Sequence, residues 1–474
     1  MHWPKHSLVF LPEDMAQALI SNLRFNKLEQ PRINKHYEHL IGGAGLLEDA
    51  FYIRRMWSFS RALDLGLVDE EIEKGLQFAL GQRHGERVAY IAMRLGRYLG
   101  LSKKNLVHVT VAGLLHDIGA LGCFREYHGD PRILEKHCLE GALAVERFPS
   151  GAILSSAIKY HHETPDPTHA ALRVSSDEVP LMARILSLAD KIDLRMLRKP
   201  HPRHERDEIL KWIREKSGIL FYPEIAAAFE QIALREAFWL DIEQPDLLQI
   251  ALGLLCEQWH LPATRELETG FTDDLAATFA DLIDQKSKFT ARHSRSVAET
   301  VERLARGLGW KEDQLHEIYV AGLLHDLGKL SIPKKILDKP GPLDLTEVDI
   351  IRTHTYYTHR LLTEAGFPTR MAEWAAHHHE RLDGKGYPFA LAGAQIDEGS
   401  RLMAIADIFA ALTEDRPYRK AMTSAEALAL IERGAGTMVD EKLVEVAKKV
   451  LMKATRVGDL RQIALGADAE KTTV

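Results

Sequence analysis

The feature that most constrains this chain is an internal duplication carrying a ladder of histidines and aspartates. AGLLHD occurs at 112–117 and again at 321–326, an offset of 209. GQRHGERVAYIAMRLGRYLGL (81–101) matches TARHSRSVAETVERLARGLGW (290–310) at the same offset. Later features shift together by 217: His137 to His354, His161-His162 to His378-His379, Asp190 to Asp407. The extra residues of the second copy fall between its His-Asp pair and the next His, where IPKKILDKPGPLD reads as a loop. A chain built this way folds as two related units, with one tolerated insertion.

Copy two supplies His293, His325, Asp326, His354, His378, His379 and Asp407; copy one supplies His84, His116, Asp117, His137, His161, His162 and Asp190. Imidazoles and carboxylates in adjacent pairs suit two first-row metal ions. Asp326 can bridge two ions through its two oxygens, and His378 and His379, about 100° apart on a helix, can serve neighbouring metals. A single His-Asp dipeptide means little. Retention of all seven residue types in both copies is hard to explain by packing, because apolar helices accept apolar substitutes.

Both copies read as helical. Val297, Val301, Leu304 and Leu308 recur at three- and four-residue steps, predicting an amphipathic helix that starts near His293. LLTEAG and LARGLG end in Gly like helix C-caps, and TPDPTHAALRVSSDEVP (164–180) reads as a loop. The fold class expected is all-α, with two tandem helical units: 67–240 and 285–474, joined by a helical linker at 241–284. Residues 1–66 form an N-terminal helical extension, with LPEDMAQALISNL and LLEDAFYIRRMWSFSRALDL as its candidate helices.

A net charge of −7 argues against a broad DNA-binding face, though not against a small anionic ligand held by local Lys and Arg. Cys123, Cys138 and Cys256 are too scattered for a disulfide framework and fit a reducing cytoplasm, with Cys138 read as a buried thiol. No apolar run suits a signal peptide or the roughly 20 residues of a membrane span, so a cytoplasmic location is expected.

Beyond the ligands the copies diverge. Copy two has Lys329 one turn after its His-Asp pair, where copy one has Ala120. After the paired histidines copy two has DGKGYP and copy one TPDPTH; after the last Asp, copy two has DRPYRK and copy one LRMLRK. Lys329 beside a metal site can neutralise a phosphoryl oxygen or protonate a leaving oxygen. Arg416 and Arg419 can grip phosphate or a guanine edge, and Tyr387 can stack at the mouth.

HDLGK, HHHERLDGKGYP and RLMAIADIFAALTEDRPYR together resemble the HD-GYP phosphodiesterases, a branch of the metal-dependent HD phosphohydrolases. The resemblance covers about 285–455, and copy one resembles the same fold with its GYP turn lost. It implies an all-helical hydrolase carrying two iron or manganese ions in copy two, and two more where copy one also binds metal. It implies cleavage of cyclic di-GMP to a linear dinucleotide or GMP. In that reading the seven residues of copy two are metal ligands, Asp326 and Lys329 are catalytic, and Tyr387, Arg416 and Arg419 contact substrate. Members with a third metal carry Glu four residues before the first His; Phe289 stands there. The last ligand is commonly followed by a second Asp, kept as Asp193 in copy one but replaced by Ala410 in copy two; Thr355 stands where Pro is usual after His354. Alternative readings are another cyclic dinucleotide such as cyclic GMP-AMP, or a nucleotide-sensing protein that holds metal without turnover. A homodimer or a regulatory protein partner stays open.

Overall fold

The computed structural model describes residues 45–67, 83–120, 131–196, 206–244, 247, 251, 267–286, 292–415 and 420–452. The helix candidate LPEDMAQALISNL, Cys123, Cys256, Phe289, Arg416 and Arg419 lie outside the described residues, as does most of 245–266. Among the described residues regular structure is helical throughout, with two isolated bridges and no strand. No described helix is long and apolar enough to cross a membrane.

Copy one is built from α2 (His84–Tyr98), α3 (Lys103–Leu115), α4 (Pro131–Val145), α5 (Gly151–Lys159) and α6 (Leu181–Met196), with α7 (Arg206–Lys216), α8 (Pro223–Ala233) and α9 (Glu236–Glu243) following. Helix α10 (Leu267–Lys286) precedes copy two. That copy runs through α11 (His293–Gly307), α12 (Glu312–Leu324), the short α13 (Lys334–Leu337), α14 (Leu345–Glu364), α15 (Thr369–Ala376) and α16 (Glu398–Thr413), and ends in α17 (Ser424–Glu432) and α18 (Glu441–Leu451). The IPKKILDKPGPLD insertion is thus a loop interrupted by α13.

The periodicity of α11 is borne out: Val297, Val301 and Leu304 are fully buried and Leu308 packs half-buried against the core. Its pairing with α12 is unusually close. A Cβ on Gly322 would sit 2.6 Å from the Cα of Ala298, and one on Gly113 would sit 2.7 Å from that of Ala89. The glycine in each AGLLHD therefore lets two backbones touch, which brings the His that opens one helix beside the His-Asp pair that closes the other. Helix α14 starts at a capping box in which Asp344 accepts from Glu347 N and Glu347 reaches back to Asp344 N, worth about 1 kcal/mol.

The first described helix, α1 (Gly45–Leu67), is buried nearly all round between Ile53 and Leu63, which requires cover on more than one side. Both copies supply it. Phe59 packs on Phe279 of α10 and Phe367 of copy two. Ser58 donates to Leu361 O, and Arg54 to Glu364 O, each at 2.7 Å. Arg61 ion-pairs with Glu86 of copy one at 2.5 Å and with Glu364 of copy two at 3.0 Å. One guanidinium thereby ties α2 to the end of α14.

Candidate metal centres

The candidate ligands His325 and His378 sit just past helix C-termini, where carbonyls have lost their helical partners, whereas His354 and Asp407 lie inside α14 and α16. His325 follows the last residue of α12 and its Nδ1 donates to Gly322 O at 2.8 Å. His378 Nδ1 donates to Ala375 O at 2.7 Å, and His354 Nδ1 to Ile351 O at 2.6 Å. Each carbonyl lies three residues earlier, so local backbone fixes the tautomer and leaves Nε2 as a lone pair aimed inward. His378 and His379 do not lie on a helix, contrary to the sequence reading; α15 ends at Ala376 and both occupy the turn after it. The turn separates their rings (centroids 4.2 Å apart, 48° between planes) and lets the first point deep while the second faces the opening.

Copy two gathers all seven predicted ligands. Asp326 Oδ1 lies 3.4 Å from His354 Nε2 and 3.8 Å from His378 Nε2, while Oδ2 lies 3.2 Å from His325 Nε2 and ion-pairs with Lys329. Asp407 Oδ1 is 3.1 Å from His293 Nε2, and its Oδ2 is 4.0 Å from His379 Nδ1. Copy one repeats the arrangement. Asp117 lies 3.4 Å from each of His84, His116 and His137, and Asp190 is 3.5 Å from His84 and 3.9 Å from His162. His161 closes the group, its Nδ1 donating to Ile158 O.

These residues fit divalent ions on their own geometry. His354 Nε2 and His378 Nε2 face each other at 3.4 Å, yet both rings already spend their N–H at Nδ1. Two lone pairs aimed at each other are repulsive unless a cation or a second proton lies between them. In copy one, His116 Nε2 and His84 Nε2 meet in the same way at 3.2 Å. His325 Nε2, Asp326 Oδ1 and Asp190 Oδ2 are buried without a hydrogen-bond partner, which is costly for atoms of this polarity. Three-residue sets with ligand atoms within 4.8 Å of one another form at His354/His378/His379, His293/His325/Asp407 and His325/Asp326/His378, and in copy one at His137/His161/His162 and His84/His116/Asp117.

The electrostatics favour neutral imidazoles at His354 and His378. At His293 burial is outweighed by Asp407 and Glu414, which raise the ring to about 9; a bound cation would displace that proton. Burial pushes His354 down to about 3, against the pull of Asp326. Burial and the neighbouring rings of His379 and His325 hold His378 well below its usual value. These imidazoles are therefore neutral and able to ligate across the physiological range. Burial would raise Asp407, but the hydrogen bond and charge of His293 outweigh it and keep the carboxyl ionised.

The replacement of the second Asp by Ala410 is compensated. In copy one Asp193 holds His84 Nδ1 at 2.8 Å and Arg87 at 2.6 Å. In copy two Glu414, one turn further along, reaches His293 Nδ1 at 3.2 Å. Sequence reasoning missed Glu414, although a carboxylate four residues after the lost Asp was a legible signal. Glu414→Ala is expected to weaken metal retention about tenfold to a hundredfold. Adding Ala410→Asp restores it, as read by metal titration; unchanged affinity in Glu414→Ala would remove the role.

Two further residues were overlooked. Glu380 accepts from Phe389 N at 2.7 Å and Leu391 N at 2.9 Å, and Glu163 does the same for Leu172 N and Val174 N. They recur at the 217 offset and were hidden inside the HHE runs. Glu380 folds the DGKGYP turn back so that Tyr387 lies 4.9 Å from the His379 ring. Asp284, at the end of α10, accepts from the N and Oγ of Ser294 and so anchors the start of α11 beside His293. Lys286 donates to Leu330 O in the turn that carries Lys329. Cys138 is a buried free thiol, as read from sequence, and burial pushes it up.

Residues 277–443 match a family model described as an HD domain, and residues 82–195 match a second model of the same description. The 3′3′-cGAMP-specific phosphodiesterase 1 of Vibrio cholerae is 34% identical over 362 residues, covering 73% of this chain and 81% of that protein. Phosphodiesterase 3 of the same organism is 34% identical over 275 residues, and the match spans 58% of each. A cyclic di-GMP phosphodiesterase of Pseudomonas aeruginosa is 40% identical over 142 residues, 30% of this chain and 34% of that one. A crystal structure of a cyclic GMP-AMP-specific phosphodiesterase from Vibrio cholerae superposes with a TM-score of 0.60 at 25% identity, over 85% of this chain and 98% of that one.

Proposed function

The chain belongs to the HD-domain phosphodiesterases of HD-GYP type, and from that premise we propose that copy two hydrolyses a 3′–5′ phosphodiester of a cyclic dinucleotide. His293, His325, Asp326, His354, His378, His379 and Asp407 hold the metal. Divalent ions bound there, iron or manganese, supply Lewis-acid charge and lower the pKa of water, as phosphodiester hydrolysis requires. Lys329 carries the reading. Its ammonium ion-pairs with Asp326, its side chain is 23% exposed, and copy one has Ala120 in its place. Water adds to phosphorus and releases a proton, and the bond to the 3′ oxygen breaks. Lys329 Nζ supplies the proton that oxygen needs, and the released proton returns the amine to ammonium. Before that transfer the positive charge of Lys329 balances the extra negative charge on the phosphoryl oxygens. Glu414 keeps His293 in one tautomer, and Tyr387 forms one wall of the opening.

Lys329→Ala is expected to lower turnover about 10²- to 10³-fold while metal content stays near normal. Loss of metal instead would refute the assigned role.

Cyclic di-GMP is the substrate expected from the motifs. A second reading, cyclic GMP-AMP, draws on one observation: two relatives that match 73% and 58% of the chain, and a solved structure that covers 85% of it, are named for it. Parallel turnover assays of the two nucleotides on one metal-analysed sample decide between them. Metal-replete protein that leaves both intact would defeat the proposal.

Copy one holds metal without turnover in this reading. It keeps every ligand, yet Ala120 and Ala170 stand where copy two has Lys329 and Tyr387. Its outermost His is also more enclosed, with the His162 side chain 8% exposed against 30% for His379. Closed metal sites stabilise a fold, whereas open ones admit a reactant.

A further inference from the structure

We propose that Arg352 is a substrate-binding residue that grips the second, uncleaved phosphate of the cyclic dinucleotide. The assignment rests on the cyclic-dinucleotide reading above and adds a residue that the sequence motifs did not single out. Arg352 lies on α14 two residues before His354, and its guanidinium sits 5.3 Å from the centroid of the Tyr387 ring. Tyr387 in turn lies 4.9 Å from the His379 ring at 37° and 6.4 Å from the His354 ring. Cation, aromatic face and metal ligands thus form one continuous row from the rim to the centre.

The cation is available. Its side chain is 54% exposed, and its ion pair with Asp349 is 4.0 Å long and itself exposed, a contact of little strength. Stacking on Tyr387 orients the planar fork without using its donors, leaving them for a bidentate phosphate.

The internal duplication supplies an independent control. All seven ligand types persist in both copies, but at the 217 offset Arg352 becomes Glu135 and Tyr387 becomes Ala170, while Lys329 becomes Ala120 at the 209 offset. The rim of copy one therefore presents an exposed carboxylate where copy two presents a guanidinium, and a carboxylate repels phosphate. A residue serving only the metal site would have no reason to reverse charge between two copies that keep that site. A cyclic dinucleotide carries two phosphodiester anions on opposite sides of its ring. With one at the metal ligands, the other is left at the rim, where Arg352 meets it. A ligand with a single phosphodiester has no such second anion.

The test uses the full-length, metal-loaded chain with two probes: the cyclic dinucleotide, and bis(p-nitrophenyl) phosphate, which has one phosphodiester. For the cyclic dinucleotide, Arg352→Ala raises KM about tenfold to a hundredfold, the size of one lost charge-assisted hydrogen bond. Its kcat changes by no more than about threefold, and kcat/KM for the single-diester probe falls by no more than about threefold. Arg352→Lys recovers part of the affinity, and Arg352→Glu is worse than alanine. Equal losses on both probes, or an unchanged KM for the cyclic dinucleotide, overturn the assignment. Wild-type protein that cleaves the single-diester probe but no cyclic dinucleotide overturns the functional reading, and this assignment falls with it.

Discussion

Asp326→Ala is expected to strip the metal from copy two and to reduce cleavage at least about 10³-fold. The residue stands where the two histidine groups meet: one oxygen faces His354 and His378, the other faces His325 and Lys329. Removing it takes an anionic ligand from both groups at once and leaves the Lys329 ammonium opposite neutral imidazoles, which disfavours a second cation there. Metal analysis of the purified protein reads the loss directly. With both copies loaded, content falls from about four ions per chain to about two, because copy one is untouched. Asp117→Ala makes the reciprocal measurement: copy one loses its ions while cleavage survives. Full metal content in Asp326→Ala, or loss of cleavage in Asp117→Ala with the copy-two ions retained, would contradict the division of labour between the copies.

Gly328→Ala is expected to destabilise copy two by at least about 3 kcal/mol and to abolish metal binding in whatever fraction still folds. A Cβ at this position would lie 1.9 Å from the carbonyl oxygen of His354 and 2.8 Å from Thr358 N. Both are backbone atoms in the middle of α14, so no side-chain rotation relieves the clash. The same contact is fastened by hydrogen bonds: Gly328 N donates to Thr358 Oγ1 at 2.9 Å, and that hydroxyl donates to His325 O at 3.1 Å. Pushing α14 away therefore moves His354 away from Asp326. Thr358→Val removes the fastening without adding bulk and should cost about 1–2 kcal/mol, with metal affinity reduced rather than lost. Thermal unfolding and metal titration on the two variants separate the effects. Wild-type Tm and metal content in Gly328→Ala would show that α14 can yield where its packing indicates it cannot.

The seven-residue cluster was legible in the sequence because the chain contains its own comparison. Two copies drifted apart at Lys329, Tyr387, Arg352 and Ala410 yet kept seven imidazole and carboxylate positions, and only a shared chemical demand keeps polar groups in buried places. The helical class and the start of α11 at His293 were legible for a local reason: apolar spacing reports which face of a helix is covered. Spacing does not report what covers it. The burial of α1 against both copies, with Arg61 bound to Glu86 and Glu364, depends on residues 303 positions apart. The reach of Glu414 to His293 spans 121 positions, and no periodicity encodes a partner at that distance. The turn that carries His378 and His379, the carbonyls that set their tautomers and the placement of Arg352 over Tyr387 were likewise decided by tertiary packing. Side-chain identity is written along the chain, whereas the direction in which a lone pair or a guanidinium points is set only when distant backbones meet.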